Sequence, residues 1–143
     1  MSATSADVAR RWFEEVWNQR KASTITELMH PSAEGHTSDG LTKGPDEWKR
    51  RMWDRLTGAF SSIKVSVDDL VSKDETVVVR WSATMVHTGD ALGIPPSGKT
   101  VSITGITWLI VREGRLMKGW DGWDATGMLL QCGGATLHPA LSK

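Results

Sequence analysis

The hydrophobic period of this chain changes once, near residue 60, and that change restricts the fold more than any other feature. Before it, apolar residues recur at helical spacing. Val8, Trp12 and Val16, with Phe13 and Trp17, make one stripe, while Arg10, Arg11, Glu14 and Glu15 lie off it. Thr4 or Ser5 is placed to cap this helix, with Asp7 in its first turn. A short second helix is expected at Thr24 and Glu27, which have capping-box spacing, with Pro31 as its stop. Gly44-Pro45-Asp46-Glu47 opens a third, whose buried stripe is Trp48, Met52, Trp53, Leu56 and Phe60 and whose end frays at Gly58. After it the period is two. Ile63, Val65 and Val67 alternate with Lys64, Ser66 and Asp68, and Val77, Val79, Trp81, Ala83, Met85 and His87 share one face of a long strand. Residues 100–111 and 115–124 form two more strands, joined by a tight turn at Glu113-Gly114. Helices followed by antiparallel strands make an α+β fold. Long strands that curve over the helices to bury both stripes leave a conical cavity.

The 143 residues fit one domain, with a core from about 5 to 131 and a tail, 132–143, expected to be mobile. Lys plus Arg and Asp plus Glu are 17 each, and this balance argues against a nucleic-acid partner. No apolar run is long enough to span a bilayer, and Met1-Ser2-Ala3-Thr4-Ser5 lacks the pattern of a secretory signal. Neither a membrane partner nor export is expected. The single Cys132, which cannot form an internal disulfide, agrees with a cytoplasmic location, and its Gly-Gly neighbours suggest a loop rather than a catalytic thiol. Eight tryptophans and no tyrosine are the unusual part of the composition. They can fill a core or line a pocket for a flat organic ligand. Trp12, Trp17, Trp48 and Trp108 are assigned to packing or an interface, and Trp53, Trp81 and Trp123 to pocket walls.

Four fragments, in order, carry a family resemblance: Arg11-Trp12-Phe13-Glu14-Glu15-Val16-Trp17-Asn18; Val78-Val79-Arg80-Trp81 with His87-Thr88-Gly89; Leu92-Gly93-Ile94-Pro95-Pro96-Ser97-Gly98; and Trp120-Asp121-Gly122-Trp123-Asp124. Together they resemble the SnoaL-like polyketide cyclases of the NTF2-like superfamily. The resemblance implies an α+β cone, commonly dimeric, with a ligand at its wide end. It also implies an aspartate on the last long strand, here Asp121, acting as general acid/base in an aldol-type closure without metal or cofactor. Histidines matching His36 and His87 tend to face the cavity in that family. The chain departs from the pattern at Lys118-Gly119, where many relatives have Glu-His, and at Thr107, where some have histidine.

The candidate site follows from these readings. Asp121 is the expected base, because taking a proton beside a carbonyl needs a carboxylate whose pKa is raised by desolvation. His87 and His36 are expected to hold substrate oxygens. Phe13, Trp53, Trp81, Met85, Ile103, Thr107, Met117 and Trp123 are expected to line the substrate pocket, with Leu92 and Ile94 over its mouth. The alternative for Asp121 is a turn cap or an ion pair. Asp124, of opposite parity, reads as a helix cap. His36, His87 and Asp121 have the residue types of a metal site but no ligand spacing, and no metal is expected. Arg80 should point away from the pocket into a surface salt bridge. The expected function is a cofactor-independent cyclase or isomerase acting on a hydrophobic or aromatic, carbonyl-rich, polyketide-like molecule. The alternatives are a non-catalytic small-molecule binder, favoured by the departures, and a hydrolase or hydroxylase, which needs a second polar group beside Asp121. A sheet with Ile106, Trp108 and Ile110 on one face and Ile103, Thr107 and Leu109 on the other is expected to pair as a homodimer.

Overall fold

The computed structural model describes residues 4–141. Helix α1 (Ser5–Arg11) continues through a wider, π-helical segment, Trp12–Asn18. Its start is a capping box: the Asp7 N–H donates to Thr4 Oγ1 at 3.1 Å and the Thr4 N–H donates to Asp7 Oδ2 at 3.3 Å. α2 (Ala22–Leu28) has no side-chain cap. Thr24, expected to cap it, instead donates its hydroxyl to Glu15 Oε1 at 2.8 Å, because Glu15 sits within reach on the preceding helix. The Arg11 guanidinium, and after it this bond, hold the Glu15 carboxyl down at about 2. α2 ends at Leu28, before Pro31, which lies inside strand β1 (Met29–Thr37).

β1 and the short β2 (Gly40–Lys43) form an antiparallel pair that the periodicity does not announce. The third helical stretch is α3 (Gly44–Trp48), a π-helical segment, Lys49–Trp53, and α4 (Asp54–Ala59), with Pro45 in its first turn as expected. Four long strands follow: β3 (Phe60–Lys73), β4 (Thr76–His87), β5 (Thr100–Arg112) and β6 (Arg115–Trp123). The β5–β6 turn places Glu113 and Gly114 at φ 52° and 76°, the left-handed conformation that a two-residue hairpin needs.

The six strands make one sheet in the order β2-β1-β6-β5-β4-β3, antiparallel except where β1 runs parallel to β6. The alternation is realised on β4 and β5. Val77, Val79, Trp81, Ala83, Met85 and His87 are buried, as are Val101, Ile103, Thr107, Leu109 and Val111. This face meets Val8, Ala9, Phe13 and Val16 of the first helical stretch in one core. β6 departs from simple alternation. Ile110 pairs with Lys118 and Val111 with Leu116, so Met117 is an extra, bulged residue and Leu116 takes the inward position.

α5 (Ala125–Cys132) closes the fold. Asp124 caps it as expected, its Oδ1 accepting from the Gly127 N–H at 2.9 Å. The loop expected at Cys132 is corrected here: Cys132 ends this helix and is buried in the core, and burial pushes its thiol pKa up. No helix among the described residues is long and apolar enough to cross a membrane.

The junction of α4 and β3 is fastened by Arg20, in the connection between the first helical stretch and α2. Arg20 donates to the carbonyl of Thr57 in the last turn of α4 at 2.8 Å, an oxygen the helix terminus leaves unpaired, and to those of Phe60 at 3.0 Å and Ser61 at 2.9 Å at the start of β3. We expect Arg20→Ala to lower stability by about 1–3 kcal/mol, the scale of hydrogen bonds to a charged donor, as read by urea denaturation. Arg20→Lys should recover only part of it, since an ammonium cannot reproduce the fork.

Candidate active site

Between the helices and the inner face of the sheet lies a cavity of about 580 Å³, counted out to its open mouth. Helical residues Trp12, Phe13, Trp17, Trp48, Met52 and Leu56 form one wall. The sheet supplies Ile63, Val65, Trp81, Ala83, Met85, Ile103 and Trp123, with Thr107 and Asp121 as the polar members. Asp121 is the one ionisable side chain among these lining residues. A second cavity of about 410 Å³ shares Trp12, Trp48, Thr107 and Asp121 with the first and adds Glu34 and Lys118 at β1 and β6.

Register explains how Asp121 comes to sit there. Asp121 pairs with Thr107, and Thr107 pairs with Val79 on the buried face of β4. The Thr107 hydroxyl lies 2.7 Å from Asp121 Oδ1, and the Trp81 indole N–H donates to Thr107 Oγ1 at 3.0 Å. Asp121 is half-buried and lines both cavities. Burial raises its pKa above the ordinary value, and the Thr107 hydroxyl bond opposes this more weakly. Among the described residues no charged side chain contributes and no ion pair or turn cap involves Asp121, the alternatives that the sequence left open.

Gly105 makes this arrangement possible. It pairs with Trp81 on one side and Trp123 on the other. A Cβ there would stand 2.4 Å from the Trp81 ring and 2.7 Å from Trp123 Cβ. Only a bare backbone lets both side chains sit down on β5.

The structure gathers part of the expected set. Phe13, Trp81, Met85, Ile103, Thr107, Trp123 and Asp121 line the main cavity. Six expected residues do not line it. Trp53 turns aside and donates its indole N–H to the Val16 carbonyl at 3.0 Å. Met117 is displaced by the bulge in β6. His36 is on the outer face, stacked on Trp120 with ring centroids 5.2 Å apart, because Gly35 takes the inward position on β1.

His87 does face inward but lies eight residues along β4 from Val79, on the order of 25 Å of strand. It is fully buried, and its Nδ1 accepts from the Ser97 N–H at 3.2 Å with the Ser97 hydroxyl at 2.8 Å. That leaves Nε2 buried and unpaired near the Phe60 ring. His87 therefore ties down the loop between β4 and β5. Leu92 and Ile94 in that loop pack on the core, with Ile94 against Gly134, rather than over the cavity. The two histidines and Asp121 do not converge, and no group of three or more His, Cys, Asp and Glu among the described residues could hold a metal ion. Arg80 is exposed on the outer face, as its parity requires, without the expected salt bridge among the described residues.

Trp12, Trp17, Trp48, Met52 and Leu56 were read as packing, yet they line the cavity. Their helical stripe was visible in the sequence, but a stripe cannot reveal whether the facing sheet touches it or stands off.

This combination of a curved, unclosed sheet, N-terminal helices and an interior carboxylate can be compared with known proteins. A profile of the SnoaL-like polyketide cyclases matches residues 7–132. The chain belongs to that family. Its fold matches a candidate SnoaL-like polyketide cyclase from Jannaschia sp. CCS1 with a TM-score of 0.83 at 20% identity, covering 94% of this chain and 95% of that one. AclR, a candidate hydroxylase from Streptomyces galilaeus, matches with a TM-score of 0.81 at 21% identity, covering 94% and 88%. IdmH, a candidate polyketide cyclase from Streptomyces antibioticus, matches with a TM-score of 0.79 at 24% identity, covering 92% and 99%. These likenesses establish the NTF2-like fold. No curated protein sequence matches the chain.

The raised pKa of Asp121 has a consequence for stability. The folded state holds the proton to a higher pH than the unfolded chain does. Stability therefore falls as the pH rises from the unfolded value, about 3.9, through the raised one, and stays lowered above it. We expect Asp121→Asn to be more stable than the native protein at pH 7, with the gain shrinking as the pH falls through the raised value towards about 3.9. Urea denaturation across pH measures this, and a variant less stable at pH 7 would contradict the assignment.

Proposed function

We propose that this SnoaL-like protein is a cofactor-independent cyclase or isomerase of a carbonyl-rich, polyketide-like small molecule, with Asp121 as its general acid/base. One observation carries the reading. Asp121 is the one ionisable group among the residues lining an aromatic-walled cavity, and burial raises its affinity for a proton. A carboxylate so placed can take a proton from a carbon beside a carbonyl. In an aldol-type closure the enolate carbon then bonds to a second carbonyl carbon, and the resulting alkoxide recovers the proton from Asp121. The walls of Trp12, Phe13, Trp48, Trp81 and Trp123 suit a flat, conjugated substrate. His36 and His87 have no part in this reading, since neither lines the cavity. The lack of a second ionisable group among the residues lining the main cavity favours the alternative of a binding protein that keeps the cavity without the chemistry.

Turnover separates the two. A general base contributes roughly 100- to 10,000-fold to proton transfer. On a polyketide-like substrate found by tryptophan fluorescence quenching, we expect Asp121→Asn to lower kcat by about that range with near-native affinity. Full turnover in that variant would remove Asp121 from the mechanism. Ligand binding without turnover in the native protein would favour the binder.

We also propose a homodimer through the outer face of the sheet. Ile106, Trp108 and Trp120 stand 52%, 49% and 39% exposed there, with Trp108 and Trp120 paired across β5 and β6. Apolar surface of this kind gains by being covered. Sedimentation equilibrium at micromolar concentration should give a dimer, and Trp108→Glu should shift it towards monomer. A native protein that is monomeric under those conditions would end this proposal.

A further inference from the structure

We propose that Thr107 is a positioning residue that fixes which oxygen of Asp121 handles the proton, with Trp81 fixing Thr107 in turn. This rests on the acid–base reading of Asp121 given above. The direction of the hydrogen-bond chain follows from the chemistry of its members. An indole N–H can only donate, so the 3.0 Å contact from Trp81 Nε1 uses a lone pair of Thr107 Oγ1. The Thr107 hydroxyl has one proton of its own. Thr107 is 4% exposed, and among the described residues the acceptor recorded for that proton is Asp121 Oδ1, at 2.7 Å. Turning the proton elsewhere would leave a buried donor unpaired. The chain therefore runs one way, from Trp81 through Thr107 to Asp121 Oδ1.

It follows that Oδ1 accepts from Thr107 whether Asp121 is ionised or neutral. In the neutral acid the proton stands on Oδ2, so one tautomer is present. The proton taken from substrate carbon goes to Oδ2, and the same O–H returns it to the alkoxide. Nothing else is consumed. The parts that hold this arrangement are stiff. Thr107 is β-branched and sits on β5 between its neighbours β4 and β6, and Trp81 is seated on the bare backbone of Gly105. Proton transfer is sensitive to such placement, since small displacements of a reacting group reduce rate steeply.

The test uses the full chain and two NMR probes, the Asp121 side-chain carboxyl carbon and the Trp81 indole N–H. In the native protein the Trp81 indole signal should shift with the same midpoint as the Asp121 carboxyl. The Trp53 indole, which donates to the Val16 carbonyl, should stay flat. Thr107→Val keeps the shape and removes the hydroxyl. It should move the Asp121 midpoint upward and abolish the Trp81 response, and Thr107→Ser should restore both. On a substrate whose turnover depends on Asp121, Thr107→Val should lower kcat about tenfold or more with little change in KM, its pH profile displaced upward, and Thr107→Ser should rescue it.

An Asp121 titration unmoved by Thr107→Val, or a native Trp81 indole indifferent to that titration, overturns the proposal. If Thr107→Val does not fold, the native coupling decides the matter alone. If Asp121→Asn keeps its turnover while the coupling is present, the acid–base reading fails and the hydrogen-bond chain stands.

Discussion

The structure depends on a carboxylate kept out of bulk water with only a neutral hydroxyl for support. Burying a charge in apolar surroundings is unfavourable, and proteins ordinarily answer with an ion pair. Here no charged side chain among the described residues perturbs Asp121, and its hydrogen-bond partner is Thr107. The result is a carboxyl that holds its proton more tightly than a surface aspartate does. Such a group is unhelpful to stability and useful to proton transfer. Strands β4, β5 and β6 are registered so that Trp81, Thr107 and Asp121 meet, and Gly105 clears the space in which Trp81 lies.

The cavity around that carboxylate is a consequence of size and curvature. Trp12, Trp17, Trp48, Met52 and Leu56 project large side chains from two helical stretches towards a sheet that curves away from them. Both stretches contain π-helical segments, Trp12–Asn18 and Lys49–Trp53, which widen the turn where Trp12, Trp17 and Met52 sit. Edge-on contacts between Trp12 and Trp48, at 4.9 Å between ring centroids, and between Trp17 and Trp48, at 5.9 Å, brace the helical wall. Large rings packed against one another in this way hold a gap open that smaller residues would let collapse.

Away from the cavity, the loop after β4 is secured from several directions. His87 binds Ser97, its backbone exchanges bonds with Gly98 and Lys99, and the Thr88 and Gly89 N–H groups both donate to the Ala59 carbonyl. Ile94 lies against Gly134, just past the end of α5. The turn-rich composition of this segment suggested a cover for the pocket. Its apolar residues instead complete the core, so His87 has an architectural part.

Resemblance to the family singled out Asp121, whereas the sequence by itself determined the α+β order, the parity of β4 and β5, the hairpin at Glu113-Gly114, a cap at Thr4 or Ser5 and the cap at Asp124. These last are properties of local spacing, since a strand's period of two and a helix's period near 3.6 assign faces without reference to distant partners. Tertiary structure alone decided which of those faces meet. The bulge at Met117 changed the parity of β6, the parallel β1–β6 pairing put Gly35 inward and His36 outward, and the length of β4 carried His87 away from Asp121. The bond from Thr24 to Glu15 displaced a capping box that the spacing alone favoured. The relation of Trp81, Thr107 and Asp121 belongs to this second group as well. Residues 26 and 14 positions apart become hydrogen-bonded only when three strands register side by side, and register is fixed by the whole sheet rather than by any one strand.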